Sequence, residues 1–177
     1  MSTLETNLIQ PATGTALTVG ASGDTITIPS GATITNSGTA TGFGGGKVLQ
    51  VVQAKLETEA STASTSFVST GLTAAITCSA TSSKVMLIVA APIYNNTADK
   101  YYYGTVYRAA NIANTAFIIA RNNGSAIGTN AAINYLDSPS STSELTYTYY
   151  HKVDSGATGY ISINDYTSTI TLLEIGA

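Results

Sequence analysis

Tryptophan is absent from this chain, and cysteine and histidine occur once each, as Cys78 and His151. A single cysteine excludes an internal disulfide framework. One cysteine and one histidine are also too few for a zinc site within one chain. Charge is scarce: Asp, Glu, Lys and Arg make up 10% of the 177 residues, against about a quarter in an average soluble domain. The net charge is -3 and the seven Lys and Arg do not cluster. No basic patch is available for a phosphate backbone, so nucleic acid is not expected as a partner. Long apolar runs are missing as well. The longest, residues 85–93, falls far short of the ~20 residues that span a bilayer as a helix, so membrane insertion is not expected. The opening MSTLETNLIQ is polar and has no apolar h-region, which argues against a signal peptide.

What the chain has instead is small polar and strand-forming residues. It carries 19 serines, 29 threonines and 11 tyrosines. Thr, Val, Ile and Tyr suit the pleated, half-buried surface of a sheet. Hydrophobic residues reach 44%, enough for a packed core rather than a disordered tail. The fold class read from this composition is all-β.

Two parts differ in texture. Residues 1–46 hold few large side chains. Leu17-Thr18-Val19, Ile26-Thr27-Ile28 and Ile34 recur every eight or nine residues between Gly- and Pro-rich breaks at 20–23 and 29–31, and read as very short strands of an arm or shaft. A hairpin of this size is marginal alone, so copies of the chain or a larger host surface are expected to cover its apolar side. A flexible linker is the alternative, against which the regular Ile-x-Ile pairs argue. A glycine hinge, Gly42-Phe43-Gly44-Gly45-Gly46, follows. It lacks the spacing of a phosphate-binding loop, because Lys47 leads into Val48 and a strand.

Residues 47–177 carry ten strand candidates, at 48–55, 65–69, 74–78, 84–91, 101–108, 115–120, 131–136, 144–151, 159–164 and 168–174. Turn signals separate them at Ser82-Ser83, Asn95-Asn96, Asn122-Asn123-Gly124 and Ser155-Gly156. Short strands with turns this dense predict a jelly-roll-like antiparallel β-sandwich. Alternation predicts Tyr147, Tyr149 and His151 on one face and Thr148 and Tyr150 on the other. Cys78, within Ala75-Ile76-Thr77-Cys78, is expected to be a small core hydrophobe.

Little here points to catalysis. His151 lies on a strand with no Gly-x-Ser-x-Gly elbow nearby, and reads as a buried, hydrogen-bonded structural histidine. Asp137, Glu144, Asp154 and Asp165 are the carboxylates a glycan depolymerase would pair. Asp137-Ser138-Pro139 and Asp154-Ser155-Gly156 read first as turns, the Asp accepting from backbone amides. No catalytic residue, metal or cofactor is expected. The informative feature is the tyrosines, grouped at 94, 101, 102, 103 and 107 and again at 147, 149 and 150. Alternation turns about half of them outward. Exposed Tyr among Asn, Ser and Thr can hold sugars or flat protein surfaces, and the competing reading is that the rings fill core and inter-subunit positions. The candidate surface-binding residues are Tyr94, Asn95, Asn96, Tyr101 and Tyr102.

The opening MSTLETNLIQP, then GDTITIPSGATI, then SGTATGFGGGKVLQVVQ resembles the starts of structural proteins of tailed bacteriophages, particularly those of marine and cyanobacterial hosts. Companion signatures follow at Thr70-Gly71-Leu72, Ser83-Lys84-Val85, Leu136-Asp137-Ser138-Pro139, Thr146-Tyr147 and the closing Ile170-Thr171-Leu172-Leu173-Glu174-Ile175. The resemblance implies a homotrimeric virion protein. Residues 1–46 would attach to other virion proteins of tail or capsid, and residues 47–177 would form a β-sandwich knob exposed on the particle. Two roles follow: a short fibre adhering to a host surface glycan or protein, or a capsid decoration protein docked by its arm. A depolymerase is a remote third.

Overall fold

Apolar residues alternating with Thr, Ser and Tyr give most of this chain a period of two, which is what a strand with one buried face requires. The computed structural model describes residues 13–33, 35, 47–112, 117–121 and 123–176. It divides into two units, Met1–Thr41 and Gly42–Ala177.

In the first unit the described residues are all exposed and form no strand. Two turns punctuate them. Asp24 N donates to Ala21 O (3.0 Å), and Ala21 N to the Asp24 carboxylate (2.7 Å). Ala32 N donates to Pro29 O (3.1 Å). The strands expected at 17–19 and 26–28 do not form: the described residues of this unit make no ladder. Leu17, Val19, Ile26 and Ile28 are left exposed. Ile34 and the glycine hinge at 42–46 lie outside the described residues.

The described residues of the second unit form eleven strands: β1 (Val48–Leu56), β2 (Ala60–Thr62), β3 (Val68–Thr77), β4 (Lys84–Asn95), β5 (Tyr101–Arg108), β6 (Ala110–Asn111), β7 (Phe117–Arg121), β8 (Ile127–Asp137), β9 (Glu144–Val153), β10 (Gly159–Ile161) and β11 (Ser168–Ile175). The described pairings are all antiparallel. In one sheet β8 flanks β4. Along the other side of β4 lie β11 and β10, end to end, with β1 beside β11 and β2 beside β10. In the other sheet the order is β3, β9, β5, with β7 and β6 sharing the far edge of β5. Numbering the eight principal strands in chain order, one sheet holds the first, eighth, third and sixth. The other holds the second, seventh, fourth and fifth. That is the double Greek key of a jelly roll, the architecture expected from sequence.

The core lies between the sheets. Val85, Leu87, Val89, Ala91 and Ile93 of β4 and Ile170 and Leu172 of β11 face Leu72, Ile76, Tyr147 and Tyr149 of the opposite sheet, all fully buried. Cys78 is buried among them with its thiol reduced, and desolvation pushes its pKa up. Tyr147, Tyr149 and His151 point inward, and Thr148 and Tyr150 outward, as alternation predicts.

Two strand expectations change. The candidates at 65–69 and 74–78 belong to one strand, β3, bulged between Ser69 and Thr73. There Thr70 Oγ1 donates to Tyr149 O (2.7 Å) and accepts from Leu72 N (3.1 Å). The candidate at 159–164 stops at Ile161, because Ser162 and Asn164 are left-handed (φ 53° each) around a single 3-10 turn, Ile163–Asp165. The reason lies across the ladder. Pro92, in the middle of β4, has no N–H to donate. Its carbonyl accepts from Ser162 N (2.9 Å), so its imino nitrogen faces the same gap between β10 and β11.

Candidate functional site

Two of the five sequence-derived surface residues are not on the surface. Tyr102 is fully buried, its hydroxyl 2.7 Å from His151 Nδ1. Asn95 is also buried. Its amide donates to Lys100 O (2.9 Å) and accepts from Thr97 N (3.3 Å), which organises the loop between the sheets. Tyr94, Asn96 and Tyr101 do reach solvent, but not as one patch. Tyr94 lies on the outer face of the β4 sheet against Tyr160, ring centroids 5.9 Å apart. Tyr101 lies on the outer face of the other sheet against Tyr103 (5.8 Å). The β4–β5 connection crosses the sandwich, so neighbours in sequence face opposite ways.

The buried polar groups are structural in geometry. Desolvation lowers the His151 pKa to about 4, so the imidazole is neutral. Asp137 closes β8 and accepts from Arg108 Nε (2.7 Å) and Tyr147 Oη (2.8 Å), both from the opposite sheet. It therefore ties the two sheets together instead of capping a turn through backbone amides. Asp154 accepts from Tyr101 N (2.9 Å) at the other end of β5. Seven residues of strand separate Tyr101 from Arg108, roughly 23 Å at 3.3 Å per residue. Glycosidase carboxylates work at about 5–10 Å, so Asp137 and Asp154 cannot act as a pair. Glu144 is exposed, and the Asp165 side chain lies outside the described residues.

Glu174 escaped the sequence reading. It is buried on β11, with one carboxylate oxygen receiving Ser79 N (2.7 Å), Ser79 Oγ (2.6 Å) and Ser83 Oγ (2.7 Å) and the other receiving Gln50 Nε2 (2.6 Å). Burial alone would raise its pKa; the hydrogen bonds from Ser79, Gln50 and Ser83 outweigh this and hold it near 2. Strand parity placed position 174 inward beside Ile170 and Leu172, and that was the available signal.

Three surfaces remain. On the outer face of the β5 sheet, Tyr107 stacks on Tyr150 (4.1 Å), Lys152 Nζ lies over Phe67 (5.0 Å) and Tyr103 (4.9 Å), and Arg121 lies over Tyr101 (5.5 Å). These rings cover one another's faces, so the row is largely satisfied within the chain. On the outer face of the β4 sheet, the ladder aligns Val51, Leu173, Met86 and Leu136 in one row across β1, β11, β4 and β8. Val51 is 59% exposed and Leu136 48%, and Val48 and Leu49 beside them are also exposed.

The third surface lies on the same face, six residues further along β4, roughly 20 Å from the apolar row. Here the 162–167 loop rises over the sheet and bounds a hollow of about 380 Å³, lined by Pro92, Thr129, Asn130, Ile163 and Tyr166. Tyr166 is 61% exposed. Among the described residues no charged side chain lines the hollow.

No protein-family model matches the chain, and no curated protein matches it in sequence. Among solved structures, it is similar to the infectious bursal disease virus VP2 subviral particle at 9% identity and a TM-score of 0.38, over 72% of this chain and 39% of that one. It is also similar to a structure of infectious bursal disease virus Gx strain at 11% identity and a TM-score of 0.39, over 73% of this chain and 37% of that one. The chain spans less than two fifths of the length of either.

Proposed function

We propose that this is a non-enzymatic structural protein of a virion, assembled as a homotrimer, held to tail or capsid by residues 1–46 and displaying the jelly roll outward to adhere to a host cell. The observation that carries the assembly part is the apolar row Val51–Leu173–Met86–Leu136, exposed at Val51 and Leu136 and half-buried at Leu173 and Met86. Large contiguous apolar patches on soluble proteins mark partner surfaces. The row lies beside Val48 and Leu49, the first residues of β1, where the chain leaves its arm. Leu17, Val19, Ile26 and Ile28 of the arm are likewise uncovered. The resemblance to tailed-phage structural proteins supports the same reading, and an uncharged hollow at the far end of the sheet favours adhesion over plain decoration.

The test is quantitative mass spectrometry of purified particles against the major shell protein, together with an adsorption assay. A few tens of copies per particle, and adsorption blocked by the purified chain, is the result expected. Hundreds of copies with no block would make it a decoration protein. Absence from the particle would end the proposal.

A further inference from the structure

The hollow beside Tyr166 is a built feature. The chain gives up strand geometry there and accepts two left-handed non-glycine residues, Ser162 and Asn164. Such backbone costs on the order of 1–3 kcal/mol per residue and persists only where its surroundings enforce it. They do so here. Ser162 is fully buried. Its N–H donates to Pro92 O (2.9 Å), its hydroxyl donates to Leu56 O (3.0 Å), and the same hydroxyl meets Ser168 Oγ at 2.8 Å. Asn164 N donates to the Glu59 carboxylate, in the β1–β2 connection, at 3.4 Å. The loop is therefore pinned at both ends, and Tyr166 stands out from a fixed base.

The surface it presents is specific in chemistry. Tyr166 makes no ring contact with any described residue, unlike the tyrosines of the β5 sheet, whose faces are covered. Pro92 supplies a second flat apolar surface. Asn130, paired with Pro92 on the outer face, is exposed and its side chain makes no hydrogen bond to a described residue, so an amide that both donates and accepts stays available. The volume, about 380 Å³, sits at the lower end of the roughly 300–1,000 Å³ of small-ligand sites. Uncharged lining disfavours an anionic or cationic ligand. A flat ring against apolar C–H groups, with an amide at its edge, fits a pyranose.

We propose that this hollow is a carbohydrate subsite taking one neutral hexopyranose unit, stacked on Tyr166 and hydrogen-bonded by Asn130. The proposal rests on the adhesive reading above and names its ligand class and its place on the fold. Three copies on one assembly would make weak single contacts adequate.

The experiment is saturation-transfer NMR on the full chain with the methyl pyranosides of glucose, galactose, mannose and N-acetylglucosamine. Sialyllactose and a proline-rich peptide serve as counter-probes. Saturation of at least one neutral pyranoside is expected. Tyr166→Ala should weaken binding about tenfold or more, Tyr166→Phe should retain it, and Asn130→Ala should weaken it several-fold. Tyr103→Ala, on the opposite sheet, should leave it unchanged. Tyr166 is exposed, so its alanine variant should melt with the parent. The proposal is overturned if no pyranoside responds, if binding survives Tyr166→Ala, or if only the anionic sugar or the peptide binds. Adhesion fails separately. If Tyr166→Ala abolishes sugar binding while particles carrying it adsorb normally, the subsite stands and the adhesive role falls. If no sugar binds yet the purified chain still blocks adsorption, the reverse holds.

Discussion

Buried tyrosines set the energetics of single residues here, because each brings a hydroxyl that must find a partner in the core. Tyr102 has His151 and Tyr147 has Asp137. The Tyr149 hydroxyl makes no well-formed hydrogen bond among the described residues, although it lies close enough to the Tyr102 hydroxyl to interact with it, and desolvation pushes its pKa well up. A buried unpaired hydroxyl costs roughly 1–3 kcal/mol. Tyr149→Phe is therefore expected to be neutral or stabilising by about 1 kcal/mol, read from the urea midpoint at unchanged slope. The same ring explains a glycine. A Cβ at Gly104 would fall 2.7 Å from Tyr149 Cε2, so alanine there must displace a fully buried ring. His151 makes a pH prediction. Its pKa is about 4 in the fold against 6.5 when free. The unfolded chain takes up a proton below 6.5 that the folded chain refuses, so this contribution to stability is complete above pH 6.5. It is lost as pH falls towards 4, by about 3 kcal/mol in all. Thermal melting from pH 7.5 to 4 should show that decline, and His151→Asn should flatten it.

At the scale of elements, strand existence was legible in the sequence and strand interruption was not. The period of two placed β1, β4, β5, β9 and β11 within a few residues and gave the inward face of β9. It could not orient Tyr101-Tyr102-Tyr103, since an unbroken run of one residue type carries no parity. Only the pairing of Tyr102 with Val153 on β9 decides which ring is buried. Nor could it see the break after Ile161, because Ile161 and Ile163 keep the alternation while the cause, Pro92, sits seventy residues earlier on a neighbouring strand. The carboxylate of Glu174 is a third case. Its position was readable as inward, but its partners Ser79, Ser83 and Gln50 lie 91 to 124 residues away. Those bonds join the β3–β4 turn, β1 and β11 at one corner of the sandwich. Glu174→Ala leaves their donors unanswered and is expected to destabilise by about 3 kcal/mol. The depressed pKa adds a second acid window, with stability present above about 4.5 and lost towards 2. Melting curves of Glu174→Ala and His151→Asn should separate the two windows.

For the whole molecule, the distribution of apolar surface is the deciding physical fact. The interior is closely packed, yet Val48, Leu49, Val51 and Leu136 are exposed together on one outer sheet face. Lysines border this patch at Lys47 and Lys84, and Ile175 pairs with Lys84 at its margin. A second copy can cover the row with its own apolar residues while the lysines stay hydrated at the rim, the usual anatomy of an interface core and its border. Each exposed aliphatic side chain so covered contributes up to roughly 1.5–3 kcal/mol, and the sum must exceed the roughly 4–15 kcal/mol that association costs. Sedimentation equilibrium of the full chain should then return an oligomer. Val51→Glu with Leu136→Glu introduces two carboxylates into the row, and neither side chain is part of the core. The expected outcome is a monomer whose melting temperature, measured at a dilution where the parent also dissociates, equals the parent's. An unchanged oligomer would mean that the arm alone holds the copies together. A monomeric parent would leave the row to a different partner on the particle, and truncation of residues 1–46 would then have no effect on mass beyond the residues removed.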